Sequence, residues 1–106
     1  MAYKVNISEI AGHELFDLSR ELVRQSRSRE LGDRFLLAAF DTLDRTAKDP
    51  LARPLSYHRP PGRDTLRHVL VDGFPNHVIF YIVEGEEVQV VRAFHAAMDL
   101  PRRLSE

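Results

Sequence analysis

The sequence predicts an α+β domain in which a helical hairpin packs on one face of a mainly antiparallel β-sheet. Three observations favour this class. Two amphipathic helical patterns follow each other with only a short serine-containing break, a proline-rich connection comes next, and three β-rich runs separated by turn residues complete the chain. Because each helix has one apolar stripe to bury, the order β-α-α-β-β-β predicts a two-layer sandwich.

The first strand and the first helix are indicated by a change of periodicity. Residues 3–7 alternate apolar and polar side chains, which is typical of a strand, and Ser8 then offers an oxygen for a helix N-cap. From about residue 11 to residue 27 the apolar residues recur at helical spacing, and Glu14 lies on the remaining arc. The buried stripe comprises Leu15, Leu18, Leu22 and Val23.

The second helix is predicted over residues 29–48 and ends before Pro50, which cannot continue a helix. Because the break around Ser26 and Ser28 is short, the two helices must fold back on each other as an antiparallel hairpin. The inward residues are Leu31, Phe35, Leu36, Ala39, Leu43 and Ala47.

The second half of the chain is predicted to form a connection and a strand meander. Residues 50–65 carry four of the six prolines, so they form an extended connection rather than a domain boundary. The runs 66–72, 77–83 and 87–94 predict antiparallel strands. The polar tail, residues 98–106, can hold at most a turn of helix.

Length and composition limit the class of protein. The chain has 106 residues, of which 43% are hydrophobic and 29% are charged. This length and composition predict one domain, residues 1–106, with one core. The absence of cysteine excludes disulfides, thiolate metal sites and cysteine nucleophiles, and it favours a reducing compartment. No stretch approaches the roughly 20 apolar residues of a membrane span, and the first residues do not resemble an export signal. We therefore expect a cytoplasmic protein without membrane contact.

The charged residues are balanced in number but not in kind. The net charge of −1 argues against a nucleic-acid binder driven by bulk charge. Thirteen of the fifteen basic residues are arginines, whose planar forks suit carboxylates and phosphates, although a GC-rich genome would also account for them. The five glycines form no phosphate-binding loop, and the five histidines lack paired spacing. We expect neither a metal nor a cofactor.

The middle strand is apolar on both of its faces, which implies cover on both. One face presents Val78, Phe80 and Ile82, and the other presents Ile79, Tyr81 and Val83. Because the two helices can cover only one face, we expect the other to lie open and to receive a partner segment or a second copy. A partly solvated apolar face is the alternative.

Two motifs in the C-terminal half carry a resemblance to a known family. One is the strand that starts at Phe74-Pro75, and the other is the run Arg92-x-x-His95-x-x-x-Asp99. They resemble the ParE/RelE toxin superfamily, most closely its ParE branch. The resemblance extends, more weakly, through the helical hairpin and so over essentially the whole chain.

This resemblance implies the toxin half of a bacterial toxin–antitoxin pair. Such a toxin is neutralised by a cognate antitoxin, whose C-terminal segment wraps it in a hetero-oligomer and would fill the open sheet face. In the ParE branch the implied target is DNA gyrase, which is inhibited by binding alone, whereas in the RelE branch the toxin cuts messenger RNA on the ribosome. The expected antitoxin-binding residues are Val78, Ile79, Phe80 and Tyr81.

The ribonuclease alternative needs a proton-transfer group and cations around one phosphate. His95 could be the acid or base, and Arg67 and Arg92 could hold the phosphate, provided that Arg67 shares a face with His95. Against it, Ala96 stands where some ribonuclease members have tyrosine, and the chain has only two lysines. A hydrogen bond from His95 to the backbone is a purely structural alternative.

We therefore predict a toxin that inhibits gyrase by binding rather than as an enzyme. Met98 stands where ParE proteins commonly have an arginine before the aspartate. Met98 does not support a role that needs a positive charge at this position. A harmless member that only binds its antitoxin is a further alternative. The expected target-binding residues are Arg92, His95, Asp99, Arg102 and Arg103.

Overall fold

The computed structural model describes residues 3–98 and 100–105. The chain forms, in order, the elements β1 (Lys4–Ile7), α1 (Glu9–Ser26), α2 (Arg29–Thr46), a 3-10 turn (Pro50–Ala52), β2 (Arg67–Val71), β3 (Phe74–Glu84), β4 (Glu87–His95) and α3 (Leu100–Leu104). The predicted β-α-α-β-β-β order and the α+β class are confirmed. The tail adds one short helix, α3, which has a decisive role in covering the sheet.

The four strands form one sheet in the order β1-β4-β3-β2. Strands β2, β3 and β4 form the predicted antiparallel meander, and β1 pairs in parallel with β4. Strand β3 begins at the Phe74-Pro75 motif, three residues before the apolar run 77–83, because Gly73, at φ 79°, allows a two-residue turn directly between Val71 and Phe74. The helical hairpin is thus the crossover that carries the chain from one edge strand, β1, to the other, β2.

A serine caps the start of each helix of the hairpin. Ser8 caps α1, and its side-chain oxygen accepts a hydrogen bond from the backbone N–H of Ala11 at 3.1 Å. Ser28 caps α2 in the same way, accepting from Leu31 N–H at 3.2 Å. Between the helices Arg27 adopts the left-handed conformation, with φ 59°, and closes α1. The chain therefore reverses within two residues, as the short break predicts.

The two helices approach closely at Gly32. A Cβ atom placed on Gly32 would lie 2.5 Å from Cγ2 of Val23 and 2.9 Å from Oγ of Ser19. The Ser19 hydroxyl donates a hydrogen bond to the Gly32 carbonyl oxygen at 2.9 Å. Glycine is therefore required here for steric reasons, although it is a poor helix former.

The main core lies between the hairpin and the sheet. Tyr81 is fully buried there, and its hydroxyl donates to the Pro50 carbonyl oxygen at 2.6 Å, which ties the end of the hairpin to β3. Burial raises the pKa of Tyr81 to about 12. The buried members of this core are Ala11, Leu15, Leu18, Phe35, Ala39, Leu43, Ala47, Val69, Val71, Ile79, Tyr81, Val88, Val90 and Ala93.

The expectation that the opposite sheet face lies open is wrong. Val78 and Phe80, which point to that face as predicted, are only 5% and 3% exposed. The covering groups come from the same chain: Leu104 of α3, and Leu66 from the connection before β2, pack against them. Pro101 does not prevent this, because the first turn of a helix needs no N–H donor from proline.

Across residues 3–98 and 100–105, none of the helices is long and apolar enough to cross a membrane.

Candidate functional site: the cleft beneath α1

A cleft of about 620 Å³ lies between α1 and the turn that follows β4. Its apolar lining comes from Leu18, Leu22, Ala93, Phe94, Ala97 and Met98. Its polar lining comes from Glu14, Asp17, Glu21, Gln25, His77, His95 and Arg103. An apolar floor with a few convergent polar groups is the usual composition of a binding site. We call this feature the α1 cleft.

Two imidazoles lie side by side in the wall of the α1 cleft. His77 and His95 are opposite each other on β3 and β4, with ring centroids 5.0 Å apart and nearly perpendicular planes. His77 also packs on Phe35, at 4.8 Å between ring centroids, and is only 6% exposed. Burial, and secondarily the neighbouring His95, lowers the pKa of His77. Its Nδ1 is buried and has no hydrogen-bond partner in the part of the chain that the structure describes.

His95 makes the backbone hydrogen bond that a strand-end imidazole was expected to make. Its Nδ1 accepts from the N–H of Ala97 at 3.0 Å. Because Nδ1 is the acceptor, the proton of the neutral ring lies on Nε2. His95 thus fixes the turn after β4 and at the same time lines the α1 cleft.

Arg92 is the predicted site residue whose environment differs most from expectation. Its Nη2 pairs with the Glu14 carboxylate at 2.8 Å, and its Nε lies 3.1 Å from both carboxylate oxygens. Its Nη1 donates to the Arg103 carbonyl oxygen at 2.8 Å, and its guanidinium lies 4.6 Å from the centre of the Phe94 ring. Arg92 is 8% exposed. In this conformation it joins α1, β4 and α3 and offers no guanidinium group to a phosphate or a partner.

Arg67 and His95 lie on the helix side of the sheet but near opposite ends of it. Arg67 pairs with Tyr81 on β3, whereas His95 pairs with His77, four residues away, across the other side of the same strand. Strand geometry separates the two Cα atoms by about 16 Å. The Arg67 side chain donates to the Arg53 carbonyl oxygen at 2.5 Å. The three residues of the ribonuclease hypothesis are therefore not brought together.

The predicted target-binding residues are divided by the fold. Arg103 and His95 both line the α1 cleft, and Arg102 is exposed beside Arg103 on α3. Arg92 is buried as described, and Asp99 lies outside the described residues.

The predicted antitoxin-binding residues are all buried. Ile79 and Tyr81 face the helices and have no exposed surface, and Val78 and Phe80 lie beneath α3. A partner that contacts Val78 or Phe80 has to displace Leu104 first.

Sequence reasoning missed Glu14, which it placed on the polar arc of the first helix. A signal was present, because Glu14 continues the row formed by Leu18 and Leu22 at intervals of four residues. A carboxylate in line with buried leucines needs a partner. Glu14 has two: the Arg92 guanidinium and the backbone N–H of Ala93, at 3.0 Å.

No metal centre is formed by the groups that the structure places. Within residues 3–98 and 100–105, no three histidine, aspartate or glutamate side chains come together as possible ligands.

The architecture and the comparisons agree on the class of protein. A helical hairpin on one face of a sheet whose last three strands form an antiparallel meander defines a RelE/ParE-like domain. The family model described as "ParE toxin of type II toxin-antitoxin system, parDE" matches residues 5–100. The chain belongs to this toxin family, within the ParE/RelE superfamily, and membership implies a cognate antitoxin as partner. No curated protein matches the chain.

Proposed function

We propose that this protein inhibits DNA gyrase by binding, that it acts in the cytoplasm, and that its cognate antitoxin holds it inactive. Membership of the ParE family supports a toxin of this kind. The observation that favours a binder over an enzyme is the separation of Arg67, Arg92 and His95.

Cleavage of RNA by attack of the 2′-hydroxyl needs an acid, a base and positive charge around a single phosphate. Arg92 is engaged with Glu14, so its charge is already balanced. With about 16 Å between the Cα atoms of Arg67 and His95, their side chains are poorly placed to share one phosphate. Inhibition by binding makes no such demand on geometry.

The α1 cleft is the surface that we propose for the antitoxin. Its lining is largely apolar and includes the exposed Met98. Its wall contains Nδ1 of His77, which has no partner among the described residues. An amphipathic segment could bury an apolar side chain between Leu22 and Met98. A polar group of the same segment could pair with His77 after a small adjustment of the wall. This proposal replaces the sheet face that Val78 and Phe80 were expected to offer.

The target is tested with the purified protein in two assays. Supercoiling by gyrase and cleavage of ribosome-bound messenger RNA are measured for the wild type, for His95→Ala and for the control His13→Ala, whose histidine is exposed outside the α1 cleft. We expect inhibition of gyrase that His95→Ala leaves largely intact, because no proton transfer is involved.

Messenger RNA cleavage that falls about 100-fold or more in His95→Ala, with gyrase unaffected by the wild type, would contradict the proposal and support the ribonuclease. Antitoxin binding without either activity would identify a harmless member of the family.

The antitoxin surface is tested with two matched variants. Met98→Glu places a charge in the α1 cleft, whereas Leu37→Glu places one on the outer face of α2, where the leucine is 70% exposed. We expect Met98→Glu to weaken antitoxin binding at least 10-fold in a calorimetric titration and Leu37→Glu to have little effect. Equal affinities for the two variants would rule out the α1 cleft as the docking surface.

A further inference from the structure

The connection between the helical hairpin and β2 concentrates positive charge. Residues 53–67, which we call the basic loop, contain four arginines and only one carboxylate, that of Asp64. Tyr57, in the middle of the loop, is 91% exposed, and its ring centroid lies 5.0 Å from that of His58, with the two rings nearly perpendicular. The arginines are Arg53, Arg59, Arg63 and Arg67. The overall net charge of −1 conceals this local surplus.

The basic loop has a defined shape, because it is hydrogen-bonded to β2 and to itself. Ser56 N–H donates to the Leu66 carbonyl oxygen at 2.7 Å, and Leu55 forms an antiparallel bridge with Arg67. Arg59 donates to the Ser56 carbonyl oxygen at 3.0 Å, as Arg67 does to that of Arg53. These anchors are neutral carbonyl groups, so they orient the arginines without balancing their charge.

Four arginines in other parts of the protein are paired with carboxylates, whereas scattered exposed arginines such as Arg34 are not paired within the described ranges. On α1 the ion pairs are Arg20 with Asp17 and Arg24 with Glu21. Arg45 pairs with Asp72, and Arg92 pairs with Glu14. Among the residues that the structure places, no carboxylate lies within ion-pair distance of the basic loop arginines. The loop is thus a patch of uncompensated positive charge on an ordered backbone.

We infer that the basic loop binds single-stranded nucleic acid. Arginine forks match phosphate oxygens, and an exposed tyrosine ring offers a surface on which an unpaired base can stack. An acidic peptide would satisfy the charge of Arg53 and Arg59 but gives no reason for the exposed ring of Tyr57. The basic loop lies at the Tyr81 end of β3, away from the α1 cleft at His77, so the inference does not depend on the gyrase proposal.

The test measures the affinity for labelled oligothymidylate and oligouridylate, each about 15 nucleotides long, by fluorescence anisotropy between 50 and 200 mM salt. Each phosphate contact in a single strand contributes about −0.7 to the slope of log affinity against log salt. We expect Arg59→Gln to make the slope less steep by about 0.7, because one contact is lost, and the control Arg34→Gln, on the exposed side of α2, to leave it unchanged.

The stacking step is tested separately at Tyr57. We expect Tyr57→Ala to weaken binding about 5- to 150-fold, the range for loss of one base–aromatic stack, and Tyr57→Phe to retain affinity because the ring is kept. A preference between the two oligonucleotides identifies DNA or RNA as the natural strand. Circular dichroism checks that these exposed positions leave the fold intact.

Several outcomes would overturn the inference. Equal losses in Arg59→Gln and Arg34→Gln would show that any positive charge suffices. Equal losses in Tyr57→Phe and Tyr57→Ala would exclude stacking, and binding of duplex DNA as tight as that of single strands would exclude a single-strand site. Displacement of the oligonucleotide by polyglutamate at matched charge would assign the patch to an acidic protein. Gyrase inhibition is measured independently, so its result does not alter these conclusions.

Discussion

Replacement of Arg92 by methionine tests whether this residue holds the fold together or serves a partner. Methionine keeps much of the length and apolar character of the arginine stem but removes the guanidinium. In the variant the Glu14 carboxylate keeps only its bond from Ala93 N–H, and the Arg103 carbonyl oxygen loses its donor. The contact between α1, β4 and α3 would then be broken at its centre.

The expected loss of stability follows from the burial of the pair. Removing one partner of a buried ion pair costs about 3–5 kcal/mol, because the other charge stays buried without compensation. The side chains of Arg92 and Glu14 are 10% and 19% exposed, so some solvent screening remains. We therefore expect the free energy of unfolding to fall by about 3 kcal/mol, the lower end of that range. For a domain of this size that corresponds to a fall in melting temperature of about 12–20 °C.

Urea unfolding followed by circular dichroism measures this effect, with a double-mutant cycle that adds Glu14→Gln. The double variant should recover part of the loss, because neither charge is then buried alone. Arg20→Met, which breaks an exposed pair with Asp17, is the control and should leave the unfolding midpoint close to that of the wild type. A change below about 1 kcal/mol in Arg92→Met would refute the structural role and return Arg92 to the list of partner-binding candidates.

Three further variants test other contacts. Because its pKa is lowered, His77 takes up fewer protons in the folded protein than in the unfolded chain, so stability should fall as pH drops below about 6.5, by at most about 1.4 kcal/mol per unit. In His77→Phe, the free energy of unfolding measured with urea should depend less on pH between pH 7 and pH 5. An unchanged dependence on pH would contradict this expectation. Gly32→Ala should lower stability by about 1–3 kcal/mol in thermal unfolding, because the added methyl group clashes with Val23. Unchanged stability would show that the two helices can move apart without cost. Tyr81→Phe should cost about 1–2 kcal/mol by leaving the Pro50 carbonyl unpaired, and equal stability would exclude that bond's contribution.

The sequence alone was sufficient for the elements whose signals are local. Apolar spacing located both long helices and all four strands to within a few residues, and Ser8 identified the start of α1. These features depend on residues within a few positions of each other, so periodicity and capping chemistry predict them. The surplus of arginine in the basic loop is also visible in the sequence, but its lack of carboxylate partners is not.

Tertiary structure decided the features that depend on distant residues. The tail covers the sheet face because Leu104 meets Phe80, and no pattern within the tail itself indicates that contact. Likewise Glu14 and Arg92 are 78 residues apart in the chain, and each alone looks like an ordinary surface charge. Long-range contacts are selected by how the whole chain can bury its apolar surface at once, so only the assembled fold determines which charges become buried and which remain free to bind.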